Sequence, residues 1–372
     1  MPSLNKHIPF LNFQPAHAVI KDEMMKAFED VYDNCRFILG ERLSAFEATY
    51  SKFNEVKFTV GVSNGLDALF LALKSLNIGS GDEVIVPSNT YIATVLAVLH
   101  AGATPVFVEP DINTCNIDPQ KIEAAITPKT KVIIPVHLYG QACEMGKIAE
   151  LANKNSLHIV EDNAQSHGAS FKDIKTGSWG IVNATSFYPG KNLGALGDGG
   201  AITTNDEALT NKLRMLRNYG SEKKYYNEIS GYNMRLDELQ AALLSVKLKY
   251  LASWTIQRQQ IAAGYDEGLQ GIDGLVLPCT HPDATHVYHL YVIRSDKRDH
   301  LSKHLSANGI DTLIHYPVPP HLQKALGRLG YRKGDFPIAE KLANTCLSLP
   351  VWPGMEQNDI AYIIETIKKF YE

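Results

Sequence analysis

The run EVIVPSNTYIATVLAVLHAGATPVFV, residues 83–108, holds two short apolar segments, Glu83-Val84-Ile85-Val86-Pro87 and Pro105-Val106-Phe107-Val108, either side of a helix-period stretch from Tyr91 to Ala101. Apolar runs of four or five residues bounded by turn formers read as strands buried on both faces. The pattern continues downstream. Val132-Ile133-Ile134-Pro135-Val136, His158-Ile159-Val160-Glu161-Asp162, Thr185-Ser186-Phe187 and Ala201-Ile202-Thr203 read as further strands, and Met145 to Asn155 as a helix between two of them. Strand and helix alternating in this way predict an α/β fold with a mostly parallel sheet. Ligands of such sheets sit at the carboxyl ends of the strands, so the residues ending these runs carry the chemical interest.

Further along, the pattern changes. From Asn233 to Leu251, residues Leu236, Leu239, Gln240, Leu243, Leu244 and Lys247 share one side at helical spacing, which predicts a long amphipathic helix. His286 to Arg294 alternates like a strand, and Arg298 to Asn308 and Gln357 to Tyr371 read as helices. At 372 residues the chain is long enough for two domains. The expected division is a large domain, residues 1–250, and a smaller C-terminal α+β domain, residues 251–372.

A formal charge of −4, with 45% hydrophobic and 20% charged residues, offers no broad positive field for nucleic acid or an anionic membrane. Cys35, Cys115, Cys143, Cys279 and Cys346 show no CxxC pair and no metal-type spacing, which fits reduced thiols in a reducing compartment. Met1-Pro2-Ser3-Leu4-Asn5-Lys6-His7 lacks an apolar run of signal-peptide type, and no segment reaches the roughly 18–20 apolar residues of a membrane span. A cytoplasmic protein without nucleic-acid or membrane partners is expected.

Three stretches carry chemistry. Ser63-Asn64-Gly65-Leu66 opens a helix whose free amides suit a phosphate, although a capped helix needs no ligand. Asp162 ends an apolar strand, where a carboxylate is costly unless a cation such as a pyridinium nitrogen pairs with it; alone, it reads equally as a loop or capping residue. The most specific stretch is Ser186-Phe187-Tyr188-Pro189-Gly190-Lys191-Asn192-Leu193-Gly194-Ala195-Leu196-Gly197-Asp198-Gly199-Gly200. A lysine in a partly dry pocket has a lowered pKa and can condense with an aldehyde, and the surrounding glycines let the backbone approach a planar ligand. The run fits neither the dinucleotide nor the Walker phosphate-binding spacing, and no HExxH or zinc-type set occurs, so no metal is expected.

Together with Pro87-Ser88-Asn89-Thr90-Tyr91, Val136-His137-Leu138-Tyr139-Gly140-Gln141 and Glu161-Asp162-Asn163-Ala164-Gln165, these stretches resemble the DegT/DnrJ/EryC1/StrS sugar aminotransferases. The resemblance runs from Ile8-Pro9-Phe10-Leu11 through Arg217-Asn218-Tyr219-Gly220 and Gly231-Tyr232-Asn233-Met234-Arg235-Leu236-Asp237 to His315-Tyr316-Pro317 and Leu349-Pro350. It implies the aspartate aminotransferase-like (type I) fold with a seven-stranded, mostly parallel sheet, pyridoxal 5'-phosphate as cofactor, and a homodimer with shared active sites.

Carried over by position, the resemblance makes Lys191 the Schiff-base and proton-shuttling lysine and Asp162 the partner of the ring nitrogen. Tyr91 would lie over the ring and Gln165 near its phenolic oxygen. Asn64, Gly65, Leu66 and Ser186 would cradle the phosphate, and Asn233 would reach the phosphate of the neighbouring subunit. Arg217, Arg235, His315 and Tyr316 are candidates for contacts with substrate or amino donor, and His167 for a hydrogen bond supporting Asp162. The stretch Tyr188–Asp198 looks most like the branch that aminates C3 of dTDP-3-keto-6-deoxyhexoses with glutamate. The alternatives are amination at C4 or C2, or a sugar-sensing protein without activity; a sugar dehydratase of this fold would carry histidine in place of Lys191.

Overall fold

The computed structural model describes residues 6–372; Met1–Asn5, read above for a targeting signal, lie outside the described residues. A seven-stranded sheet forms the centre, with strand order Phe58–Val62, Gly200–Thr204, Val182–Ser186, His158–Asp162, Thr130–Ile133, Glu83–Pro87 and Thr104–Val108. Only Gly200–Thr204 runs against both of its neighbours; the remaining pairings are parallel. Val84, Ile85, Val86, Val132, Ile133 and Val160 have no exposed surface, as strands covered on both faces require.

The Gly65–Ser75 helix is buried from Ala68 through Leu73 and packs against the Ile92–Ala101 helix and the Val182–Ser186 strand. Its N-terminus therefore opens at the edge of the sheet where the strands end. A second core gathers Tyr265, Tyr291, Ile293, Leu301, Leu305, Leu347, Leu349, Ile363 and Ile367 around the antiparallel pair Tyr291–Arg294 and Cys346–Leu349. Ile8 joins that core through a bridge to Ile310. Among the described residues, no helix is long and apolar enough to cross a membrane.

Several expected elements differ in extent. The helix expected over 233–251 is two helices, Glu238–Leu248 and Leu251–Leu269. Its first residues are extended instead, because Tyr232 and Met234 donate to the carbonyls of Leu216 and Arg217, and Asn233 bridges Asn218. The strand expected over 286–294 covers only Tyr291–Arg294. Ahead of it, Val287 and Leu290 donate to the carbonyls of Gly140 and Tyr139, which fastens that segment to a loop rather than to a sheet. The strand expected over 132–136 is Thr130–Ile133, with Val136 adding only an isolated bridge to Asp162. The Phe58–Val62 strand and the helices Gln14–Asn34 and Glu41–Asn54 were not expected from the sequence.

Candidate active site

Four of the stretches singled out above meet at one edge of the sheet. Val62 lies opposite Gly200, Gly200 opposite Ser186, Ala184 opposite Asp162, and Asp162 beside Val136. Asn64 caps the following helix, its Oδ1 accepting from the Asp67 amide at 2.9 Å. Ser63 Oγ and Asn64 Nδ2 turn the Asp67 carboxylate back onto the cap. The amides of Gly65 and Leu66, first in the helix, have no intrahelical acceptor and suit an anion. A Cβ on Gly65 would stand 2.6 Å from Ser186 Cβ, so the helix start and the strand end form one close-fitting cradle.

Asp162 is 6% exposed. Its Oδ2 accepts from Thr94 Oγ1 at 2.8 Å and its Oδ1 from the Ala164 amide at 3.2 Å. Burial pushes its carboxyl upward in pKa, opposed by the bonds from Thr94 and Ala164 and by the positive Lys191. Beside it, the Glu161 carboxylate accepts from His137 Nε2 at 2.7 Å and from the amides of Gly177, Trp179 and Gly180. His137 Nδ1 meanwhile accepts from the Cys143 amide, which leaves Nε2 as the nitrogen that donates to Glu161.

Lys191 is half-buried, and burial lowers its amine to about 8 against the raising influence of Asp162. The two groups thus feel one another, yet among the described residues no ion pair joins either to a partner. An ammonium and a carboxylate that influence one another without pairing are groups suited to a cationic ring. Asn192 Nδ2 donates to the Val287 carbonyl at 3.0 Å and fixes the lysine segment. His315 is lowered to about 4 by burial and then by Lys191, and His289 far below its ordinary value for the same two reasons. Both rings stay neutral and put no second charge beside the amine.

Tyr91 caps the Ile92–Ala101 helix and is 54% exposed. Its ring lies 5.4 Å from that of Tyr316, whose hydroxyl accepts from Gln165 Nε2 at 3.1 Å. Gln165 Oε1 accepts from the Tyr139 amide at 2.6 Å, so both ends of that amide are fixed. His315 Nδ1 is 2.8 Å from Ser348 Oγ, and its ring packs against Phe10. Tyr91, Gln165, His315 and Tyr316 therefore join Lys191 and Asp162 in one site.

Other expected residues stand elsewhere. Arg217 is buried in an ion pair with Glu47 at 2.5 Å and also donates to the Gly61 carbonyl, which removes it from the substrate contacts. Arg235 donates to Asn218 Oδ1 at 2.9 Å and lies over the Tyr219 ring. Asn233 is exposed on the same outer segment. His167 bonds Thr185 Oγ1 at 3.1 Å rather than Asp162, and is lowered to about 3 chiefly by burial. The sequence reading missed Thr94, His289 and Asn192; only the position of Asn192 next to Lys191 offered a signal.

A buried carboxylate, a lysine of lowered pKa and a close-fitting helix terminus are groups suited to the ring nitrogen, the aldehyde and the phosphate of pyridoxal phosphate. The model of the DegT/DnrJ/EryC1/StrS aminotransferase family matches residues 18–368. The chain is 48% identical over 365 residues to the dTDP-3-amino-3,4,6-trideoxy-alpha-D-glucose transaminase of Streptomyces venezuelae, covering 98% of this chain and 96% of that one. It is also 48% identical to the dTDP-3-amino-3,6-dideoxy-alpha-D-galactopyranose transaminase of Aneurinibacillus thermoaerophilus, covering 98% and 99%. The crystal structure of S. venezuelae DesV with a ketimine intermediate superimposes with a TM-score of 0.97 at 48% identity, covering 98% of this chain and 99% of that one. The chain thus belongs to the DegT/DnrJ/EryC1/StrS aminotransferase family, and its cofactor is pyridoxal phosphate.

Proposed function

We propose that the chain, as a homodimer with shared active sites, moves the amino group of glutamate to C3 of a dTDP-3-keto-6-deoxyhexose. The observation carrying the chemistry is the nearness of two opposite groups, the half-buried Lys191 and the buried Asp162, each of which shifts the other, with no ion pair between them among the described residues. The choice of sugar rests on the two 48% identical relatives, both transaminases of dTDP-3-amino sugars.

Pyridoxal phosphate supplies an electron-accepting ring when bound. Asp162, whose charged form accepts from Thr94 and the Ala164 amide, would hold the proton on the ring nitrogen. Lys191, at about 8, has about a tenth of its amine unprotonated at pH 7, whereas an ordinary lysine has far less than a hundredth. Its Nζ is therefore fit to take the proton from the carbon bearing the amino group and to return it to the sugar carbon. Asn64, Gly65, Leu66 and Ser186 would hold the phosphate, Tyr91 would lie over the ring, and Gln165 would stand near its phenolic oxygen. His315 and Tyr316 face the substrate. The exposed Asn233 would serve the phosphate of the neighbouring subunit, and Arg235 the substrate or amino donor.

The dimer is supported by the apolar side chains of the N-terminal helix and its exit: Met25, Phe28, Tyr32, Phe37 and Ile38 are all exposed in a single chain. We take residues 1–250 as the large domain and 251–372 as the small one, with Ile8 packing into the core of the latter. Five unpaired cysteines fit a cytoplasmic setting.

Incubating the holoenzyme and glutamate with dTDP-3-keto-6-deoxyglucose, its galacto epimer, a dTDP-4-keto sugar and a UDP-3-keto sugar, and weighing the products by mass spectrometry, tests the assignment. Amination of a dTDP-3-keto sugar is expected. Turnover confined to the 4-keto sugar would overturn the regiochemistry, and turnover confined to the UDP sugar would overturn the nucleotide.

A further inference from the structure

Lys191 also lines a second cleft, of about 410 Å³ counting its open mouth, between the 189–194 segment, the stretch around His17 and Trp352. Two cations that the chemistry above does not use line it as well: Lys247 from the Glu238–Leu248 helix and Arg258 from the Leu251–Leu269 helix. They are only 4% and 5% exposed. Lys247 Nζ donates to the Gly194 carbonyl at 2.7 Å, and Arg258 Nη1 to the carbonyls of Val351 at 2.7 Å and Tyr288 at 3.2 Å. Carbonyls accept hydrogen bonds but cancel no charge.

Among the described residues, no carboxylate pairs with either cation. Aspartate and glutamate are absent from the cleft lining, and residues 1–5 contain no acid. Burial alone lowers Lys247 to about 8 and Arg258 to about 10, with no negative group opposing it. His17, lowered by burial and by Lys247, adds no compensating charge. One donor of the lining residues, Arg258 Nε, is buried without a partner. Buried cations left unpaired are costly, and an anion that binds there recovers the loss. The cleft is narrow and walled by Trp254 and Trp352, which leaves room for a compact carboxylate group and not for a nucleoside-bearing diphosphate.

We propose that Lys247 and Arg258 form the seat for the side-chain carboxylate of a dicarboxylate amino donor, in the same cleft as the reacting Lys191. The assignment rests on the reading of glutamate as donor and adds where its distal charge is held. Arginine supplies the planar fork and lysine the point charge that such a carboxylate takes.

The test compares half-reactions of the cofactor-loaded enzyme, followed by bleaching of the cofactor band on rapid mixing. L-Glutamate and L-glutamine, which differ in the charge of the side chain, are compared in wild type, Lys247→Met and Arg258→Met. The half-reaction started from the dTDP-amino sugar is measured in parallel. In each variant the glutamate-to-glutamine ratio of kmax/Kd should fall about 30-fold, and by much more than the amino-sugar half-reaction falls. Lys247→Arg and Arg258→Lys should restore most of the ratio. An unchanged ratio in variants of a glutamate-responsive wild type would overturn this site alone. Equal losses in both half-reactions, or loss of the dimer, would make the two cations structural and overturn it as well. A wild type that glutamate cannot bleach would overturn the donor reading and, with it, this assignment.

Discussion

Replacing Thr94 by valine removes one hydroxyl and keeps the shape of the side chain. Thr94 Oγ1 stands 2.8 Å from Asp162 Oδ2 and 2.9 Å from Thr90 Oγ1. An ionised carboxylate only accepts, so the Thr94 proton goes to Asp162 and Thr90 donates to Thr94. A hydrogen bond to a charged group contributes about 1.5–3 kcal/mol, and about 1.4 kcal/mol corresponds to one pKa unit. Thr94→Val should therefore raise the Asp162 pKa by about 1–2 units, in the direction burial already drives it. Asp162 acts in its charged form. A raised pKa means that form is lost at a higher pH as the solution is acidified, so the acid limb of kcat/KM should move up by about 1–2 units while the alkaline limb stays. Thr90, 2% exposed, also loses its acceptor, which should cost about 1–3 kcal/mol of stability in urea denaturation. The assay is the pH profile of glutamate-dependent turnover, with Thr94→Ser as the variant that keeps the hydroxyl. An acid limb of Thr94→Val coincident with wild type, or one equally displaced in Thr94→Ser, would refute the reasoning.

Gly65→Ala should weaken pyridoxal phosphate binding about tenfold or more in a fluorescence titration, because its Cβ would stand 2.6 Å from that of Ser186. Gly65→Ala with Ser186→Gly should regain part of the affinity. Arg217→Leu strands Glu47 in the interior and should cost about 3–5 kcal/mol in urea denaturation, while the fraction that remains folded keeps its KM for the keto sugar. A large rise in that KM with unchanged stability would return Arg217 to the substrate. Glutamate-driven bleaching should weaken as pH falls below about 8, where Lys191 becomes increasingly protonated, as a titration of the apoenzyme amine by lysine-directed labelling would register.

The central sheet was readable because its strands are covered on both faces and announce themselves as runs of Val and Ile. Phe58–Val62 escaped because Thr59 and Gly61 interrupt its apolar run and the helix signal after Asn64 drew the reading. Leu236 fits the helical spacing of Leu239 and Leu243, yet it packs beside Phe46 and Phe187 in an extended segment. Long-range pairing to residues 216–218 overrode the local periodicity there. Lys191, Asp162 and the cradle at Gly65 were legible because each ends or follows a strand at the edge where ligands bind. Arg217 was misread because its partner, Glu47, is 170 positions away and nothing local to the arginine reveals it. Thr94, Lys247 and Arg258 look like ordinary helix residues until tertiary packing brings them to Asp162 and to the lysine cleft.

The claim on which the account stands is that Lys191 carries the cofactor. Reducing the yellow holoenzyme with borohydride, digesting it and mapping the pyridoxyl-modified lysine by mass spectrometry addresses it directly. The label should appear on Lys191 and on no other lysine, and the folded Lys191→Ala protein should bind the cofactor without being labelled. A label fixed on a different lysine, or undiminished turnover in Lys191→Ala, would contradict it.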